Sequence, residues 1–76
     1  MRTYSLKAIR TNLGLTLEEA AQLIGISKYT LFNYESYKTT PNTENTTKIM
    51  NAYGVHYNEI RFLPNAREKK KLAVKN

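Results

Sequence analysis

The 76-residue chain contains no cysteine, so neither a disulfide nor a thiolate metal site can staple it, and packing must hold the fold. It has no aspartate and only one histidine, His56. A nucleophile, a base and an orienting group cannot be assembled from that inventory, because Glu18 and Glu19 are adjacent and project from different parts of a helix. His56 lacks companion ligands and is expected to begin a helix instead of binding a metal. No catalysis, cofactor, metal or small-molecule ligand is therefore expected. No apolar run approaches the roughly 18 residues of a membrane span, and residues 1–10 carry no continuous apolar signal core. A soluble, cytoplasmic protein without membrane partners follows as the expectation. No repeat and no run of strand periodicity is long enough to challenge an all-α reading.

Glycine is also scarce, and each of Gly14, Gly25 and Gly54 follows a run with helical spacing. The stretch 15–35 organises the rest. Thr16 stands three residues before Glu19, the spacing at which a hydroxyl caps a helix and a glutamate caps it back. Ala20, Ala21 and Ile24 then recur on one face, and Gly25 supplies the left-handed residue on which a helix can end and turn. Ser27 offers a second N-cap. In the helix that follows, Leu31 and Tyr34 form the buried side and leave Lys28, Tyr29, Thr30, Phe32 and Asn33 facing outward.

Before this pair, Thr3 or Ser5 can cap a first helix whose Leu6, Ile9 and Leu13 should face the core, with Gly14 ending it. After it, residues 36–41 form a polar loop closed by Pro41, which suits the start of the next helix. Asn42 or Thr43 can cap a fourth helix that turns Ile49, Met50 and Tyr53 inward and stops at Gly54. A fifth short helix is expected over residues 57–62, burying Ile60, and Pro64 ends the ordered part. Residues 1–64 thus read as one domain and 65–76 as a solvated basic tail able to become helical over 66–74 on contact. The tail carries five basic residues against one acid, leaving the first 64 residues only +2 of the total charge of +6. Bulk charge points to a polyanionic partner, but mostly through the tail.

The order of Thr16, Glu19, Ala21, Gly25, Ile26, Ser27, Leu31 and Glu35 resembles the helix-turn-helix of the Cro/repressor, or XRE-type, family of phage and bacterial transcription regulators. The likeness runs over residues 6–60, through Pro41 and the segment 49–55. It implies a five-helix domain that binds double-stranded DNA in a sequence-specific way, as a repressor or Cro-like protein associated with the nucleoid. It also implies an ion pair between Arg10 and Glu35, locking the first helix to the end of the third. Five positions depart from the family pattern. Tyr37 replaces a usual glycine and should be strained if left-handed, Leu17 replaces a glutamine and offers only its main-chain N–H, and Thr43, Thr46 and Thr47 replace apolar residues of the fourth helix.

A helix in the major groove needs side chains that reach base edges and a frame of donors aimed at phosphates. Lys28 suits guanine or a phosphate, Tyr29 and Thr30 offer hydroxyls and apolar surface for a thymine methyl, and Asn33 suits adenine. Phosphate contacts are expected from Thr16, Leu17 and Ser27 on one side, and from Lys38, Thr39, Thr40, Asn42 and Thr43 on the other. A homodimer through helix five, Phe62, Leu63 and the tail would read half-sites roughly 10 base pairs apart. Leu17, Leu23, Tyr29, Phe32, Tyr37, Phe62 and Leu63 form a second constellation of apolar residues, which raises an alternative partner, another repressor protein bound by this chain as an antirepressor. The six tyrosines could also stack on single-stranded bases, but they fall at core-like or scattered positions.

Overall fold

In a computed structural model that describes residues 2–64, Ser5 begins the first helix. Its hydroxyl accepts the Ala8 N–H at 3.1 Å, and α1 follows over Leu6–Asn12. Leu6, Ile9 and Arg10 face inward. Leu13 does not follow them: it lies past the last helical residue, 48% exposed. Leu13 caps the end of α1 and lines an open cavity beside Ile9 and Tyr53 instead of being enclosed. Gly14 takes a φ of 75°, and Leu15 beyond it packs against the core.

The next two helices form as their caps require. In α2, Leu17–Ile24, the Thr16 hydroxyl accepts the Glu19 N–H at 3.1 Å while the Glu19 carboxylate accepts the Thr16 N–H at 2.9 Å. Both orphan donors are thereby satisfied. Gly25, at φ 93°, turns the chain, and Ser27 caps α3, Lys28–Glu35. Ala20 and Ala21 are buried in the interior; their small side chains let α2 approach its neighbours closely. Leu31 and Ile49, the largest fully enclosed side chains among the described residues, belong to the same core, each burial stabilising the fold by about 1.5–3 kcal/mol.

After α3 the chain turns through Tyr37, whose φ of 62° is the left-handed conformation that a non-glycine residue adopts with strain. Asn42 then caps α4, Thr43–Tyr53, through its Oδ1 and the Asn45 N–H at 2.8 Å. Thr46, Ile49 and Tyr53 are its buried residues, and Gly54 closes it.

The expected fifth helix is absent from the described residues. A single 3-10 turn spans Tyr57–Glu59, and the chain then extends as β2, Ile60–Arg61, pairing in parallel with β1, Tyr4–Ser5. Tyr4 sits opposite Ile60 and Ser5 opposite Arg61. The backbone groups of Ile60 and Arg61 find partners in β1, which holds this stretch extended instead of helical. Ile60 is buried as expected. Among the described residues the fold is thus mostly helical, with four α-helices and one two-stranded ladder. The tail 65–76, including the expected helix over 66–74, lies outside the described residues.

Candidate nucleic-acid interface

The outer face of α3 is set by what its inner face does. Leu31 and Tyr34 are buried, so the helical period turns Lys28, Tyr29 and Phe32 to the surface, with Asn33 half-buried at the edge. Tyr29 is 74% and Phe32 48% exposed. Lys38, just past the helix, holds its Nζ 5.9 Å from the centre of the Phe32 ring, a cation-π contact. The backbone carbonyl of Asn33 accepts the Lys38 N–H at 2.9 Å, so the loop that carries Lys38 folds back onto the end of α3. Thr30 is engaged differently. Its hydroxyl lies 2.8 Å from the Ser27 hydroxyl, which also accepts the Thr30 N–H at 3.0 Å. Within the domain, both hydroxyls serve the helix start.

Two polar contacts hold this helix in place. Arg10 reaches Glu35 in a fork, Nε to Oε2 at 2.7 Å and Nη2 to Oε1 at 3.0 Å, while its Nη1 donates to the Leu15 carbonyl at 2.9 Å. Their side chains are only 11% and 7% exposed. The hydrogen bond to Glu35 holds the Arg10 proton more tightly than usual, against the opposing effect of burial. At the other contact the Asn45 amide donates to the Tyr34 hydroxyl at 2.8 Å, tying the first turn of α4 to α3.

The expected phosphate-facing positions divide into two groups. Lys38, Thr39, Thr40, Asn42 and Thr43 are exposed along the loop and the start of α4, with the Asn42 side chain engaged as the cap. At the start of α2, the Thr16 N–H and hydroxyl are both taken up by Glu19, leaving the first-turn amides of Leu17 and Glu18 without helical partners. Those hydrogen bonds from Thr16 lower the Glu19 pKa, so a carboxylate stands at this helix start. With Arg10 neutralising Glu35, the exposed charges of α2, α3 and the following loop are Lys28 and Lys38 against Glu18 and Glu19.

The apolar constellation is divided as well. Leu17 and Phe32 line one depression of about 290 Å³ together with Lys7, Arg10, Glu35 and Ser36. Leu23 is exposed toward the end of α2, outside the residues that line it. Tyr37 is half-buried in the strained turn. Phe62 and Leu63 belong with β2, where the Phe62 ring packs on Tyr57 at 5.4 Å. The sequence reading placed Phe32 only among protein contacts, although its spacing from Tyr29 already puts both on one outer face. It also missed a cavity of about 470 Å³ lined by Tyr4, Ala8, Ile9, Asn12, Leu13, Tyr53, Val55 and Glu59, residues drawn from β1, α1 and its cap, the end of α4 and the segment through the 3-10 turn after it. Among the described residues no group of histidine or acidic side chains could hold a metal ion, and no helix is long and apolar enough to cross a membrane.

A helix-turn-helix family model matches residues 6–60. Neither the curated proteins nor the solved structures provide a significant match.

Proposed function

From its membership of the XRE-type helix-turn-helix family of DNA-binding regulators, we propose that this chain is a repressor or Cro-like protein of phage or bacterial origin, reading the major groove with α3. Residues 1–64 form its DNA-binding domain and 65–76 a basic arm. The observation that carries this reading is the presentation of α3. One face is locked inward by Leu31, Tyr34 and the Arg10–Glu35 fork, and the other offers Lys28, Tyr29, Phe32 and Asn33 with Lys38 alongside. Lys28 and Asn33 contact base edges, and the loop of Lys38, Thr39 and Thr40 positions the backbone. Two copies meet through the surface of β2, Phe62 and Leu63, where the sequence had placed a fifth helix.

Titration of the protein against the intergenic DNA upstream of its own gene tests this. Asn33→Ala is expected to relax specificity at one base position, whereas Lys38→Ala weakens every sequence alike and lowers the salt slope by about one unit. An equal loss for all sequences in Asn33→Ala would remove its role as a reader.

A second reading is favoured by one specific arrangement: the Leu17–Phe32 depression beside a start of α2 whose Thr16 N–H already donates to the Glu19 carboxylate and whose Thr16 hydroxyl already accepts the Glu19 N–H. Such a surface suits another repressor, with this chain acting as an antirepressor. Absence of DNA binding together with capture of a repressor from the host supports that reading over the first.

A further inference from the structure

We infer that α3 reads thymine methyl groups, so that the half-site it selects is built around A·T pairs with Tyr29 and Phe32 as the specificity-determining contacts. This rests on the proposal that α3 enters the major groove. Tyr29 and Phe32 are three residues apart and therefore neighbours on one face, and they are the largest exposed side chains of the helix. The face around them carries a single free charge, Lys28, because the other charged residue of α3, Glu35, is held by Arg10. Guanine is recognised chiefly by bidentate arginine or lysine, and cytosine by an acidic side chain. This helix has no arginine and no free acid, and its one lysine, Lys28, stands at the first helical position, so at most one guanine contact is available beside the aromatic pair. Thymine is the base that presents an apolar group in the major groove, its 5-methyl, and an aromatic pair is the complementary surface.

The neighbours fit the same pairs. Asn33, four residues from Tyr29 and so on the same side, has the amide geometry that pairs with adenine. The hydroxyl of Thr30 is committed to Ser27, which leaves its methyl as the remaining contribution to the face. Charge complementarity selects the occupant of this apolar patch. Lys28 precedes it, and Lys38 follows it with its ammonium over the Phe32 ring, so the patch is flanked by two cations, as contact with a polyanion requires. At about 1.5 Å per residue, the eight residues of α3 extend roughly 12 Å, enough to pass three to four base-pair steps.

The test begins with selection of bound duplexes from a random library by the full-length protein, followed by replacement of each half-site thymine with deoxyuridine, which removes only the methyl. Loss of about fourfold in affinity is expected at one or two thymines, the equivalent of one buried methyl. That loss should disappear in Tyr29→Ala or Phe32→Ala, whose exposed positions leave the core intact. Selected sites that tolerate deoxyuridine everywhere, or a consensus of G·C pairs opposite α3, would overturn the inference while leaving DNA binding in place. Failure to enrich any duplex would instead overturn the underlying reading, and this inference with it.

Discussion

Tyr53 carries a buried hydroxyl with no hydrogen-bond partner among the described residues, close enough to Arg10 and Glu35 to feel both charges. Burial first, and the negative charge of Glu35 second, push its pKa up to about 12. An unfolded tyrosine ionises near 10, so between pH 10 and about 12 the unfolded chain gives up a proton that the native chain keeps. Stability from this group is complete below that window and is lost as the pH rises through it. Tyr53→Phe is expected to remove this alkaline loss and, by deleting an unpaired donor, to raise stability at neutral pH by about 1–3 kcal/mol. Urea titrations at neutral and alkaline pH measure both effects; a destabilised variant would show that the hydroxyl is bonded in solution. Much of the candidate site was legible at this scale, since Leu31 and Tyr34 define the inner face of α3 and hence the outward direction of Lys28, Tyr29 and Phe32. The bond between Thr30 and Ser27 was not, because a hydroxyl with several partners in reach chooses by rotamer, which spacing does not specify.

Between elements, the Arg10–Glu35 fork joins α1 to α3, and its value lies in both partners being present. Removing one leaves the other charge buried and alone, so Arg10→Met or Glu35→Leu should each cost about 3–5 kcal/mol, while the two combined should recover most of that. A thermodynamic cycle from chemical denaturation checks it: additive losses would mean that the two charges act separately. Four helices could be read from local signals because each starts on a side-chain cap, Ser5, Thr16, Ser27 and Asn42, and three of them are followed by glycine-bearing turns. The fifth could not, and the reason is distance along the chain. Ile60 and Arg61 extend because Tyr4 and Ser5 lie alongside, a pairing between opposite ends of the domain that no local periodicity encodes. Leu13 shares a cavity wall with Ile9, and its exposure was not legible because spacing gives the side of a helix and not what covers it.

Across the whole molecule, charge is unevenly shared. Residues 1–64 hold seven basic and five acidic side chains, and 65–76 hold five and one. Because the exposed charges of the α2–α3 region nearly cancel, the arm should supply most of the salt-dependent affinity. Replacing Lys69, Lys70 and Lys71 by glutamine is expected to reduce the slope of log affinity against log salt by up to about 3 units, at about 0.9 for each phosphate no longer neutralised, with the preferred sequence unchanged. Fluorescence anisotropy over a salt series measures this, and an unaltered slope would place the polyanion contact on the domain alone. The ladder between β1 and β2 has a mechanical consequence. Its strands run the same way, one at the beginning of the fold and the other at its end. Tension applied between those ends therefore loads both paired positions together, in shear, instead of peeling them apart one at a time, and the helices are shielded from the pull until that clamp slips.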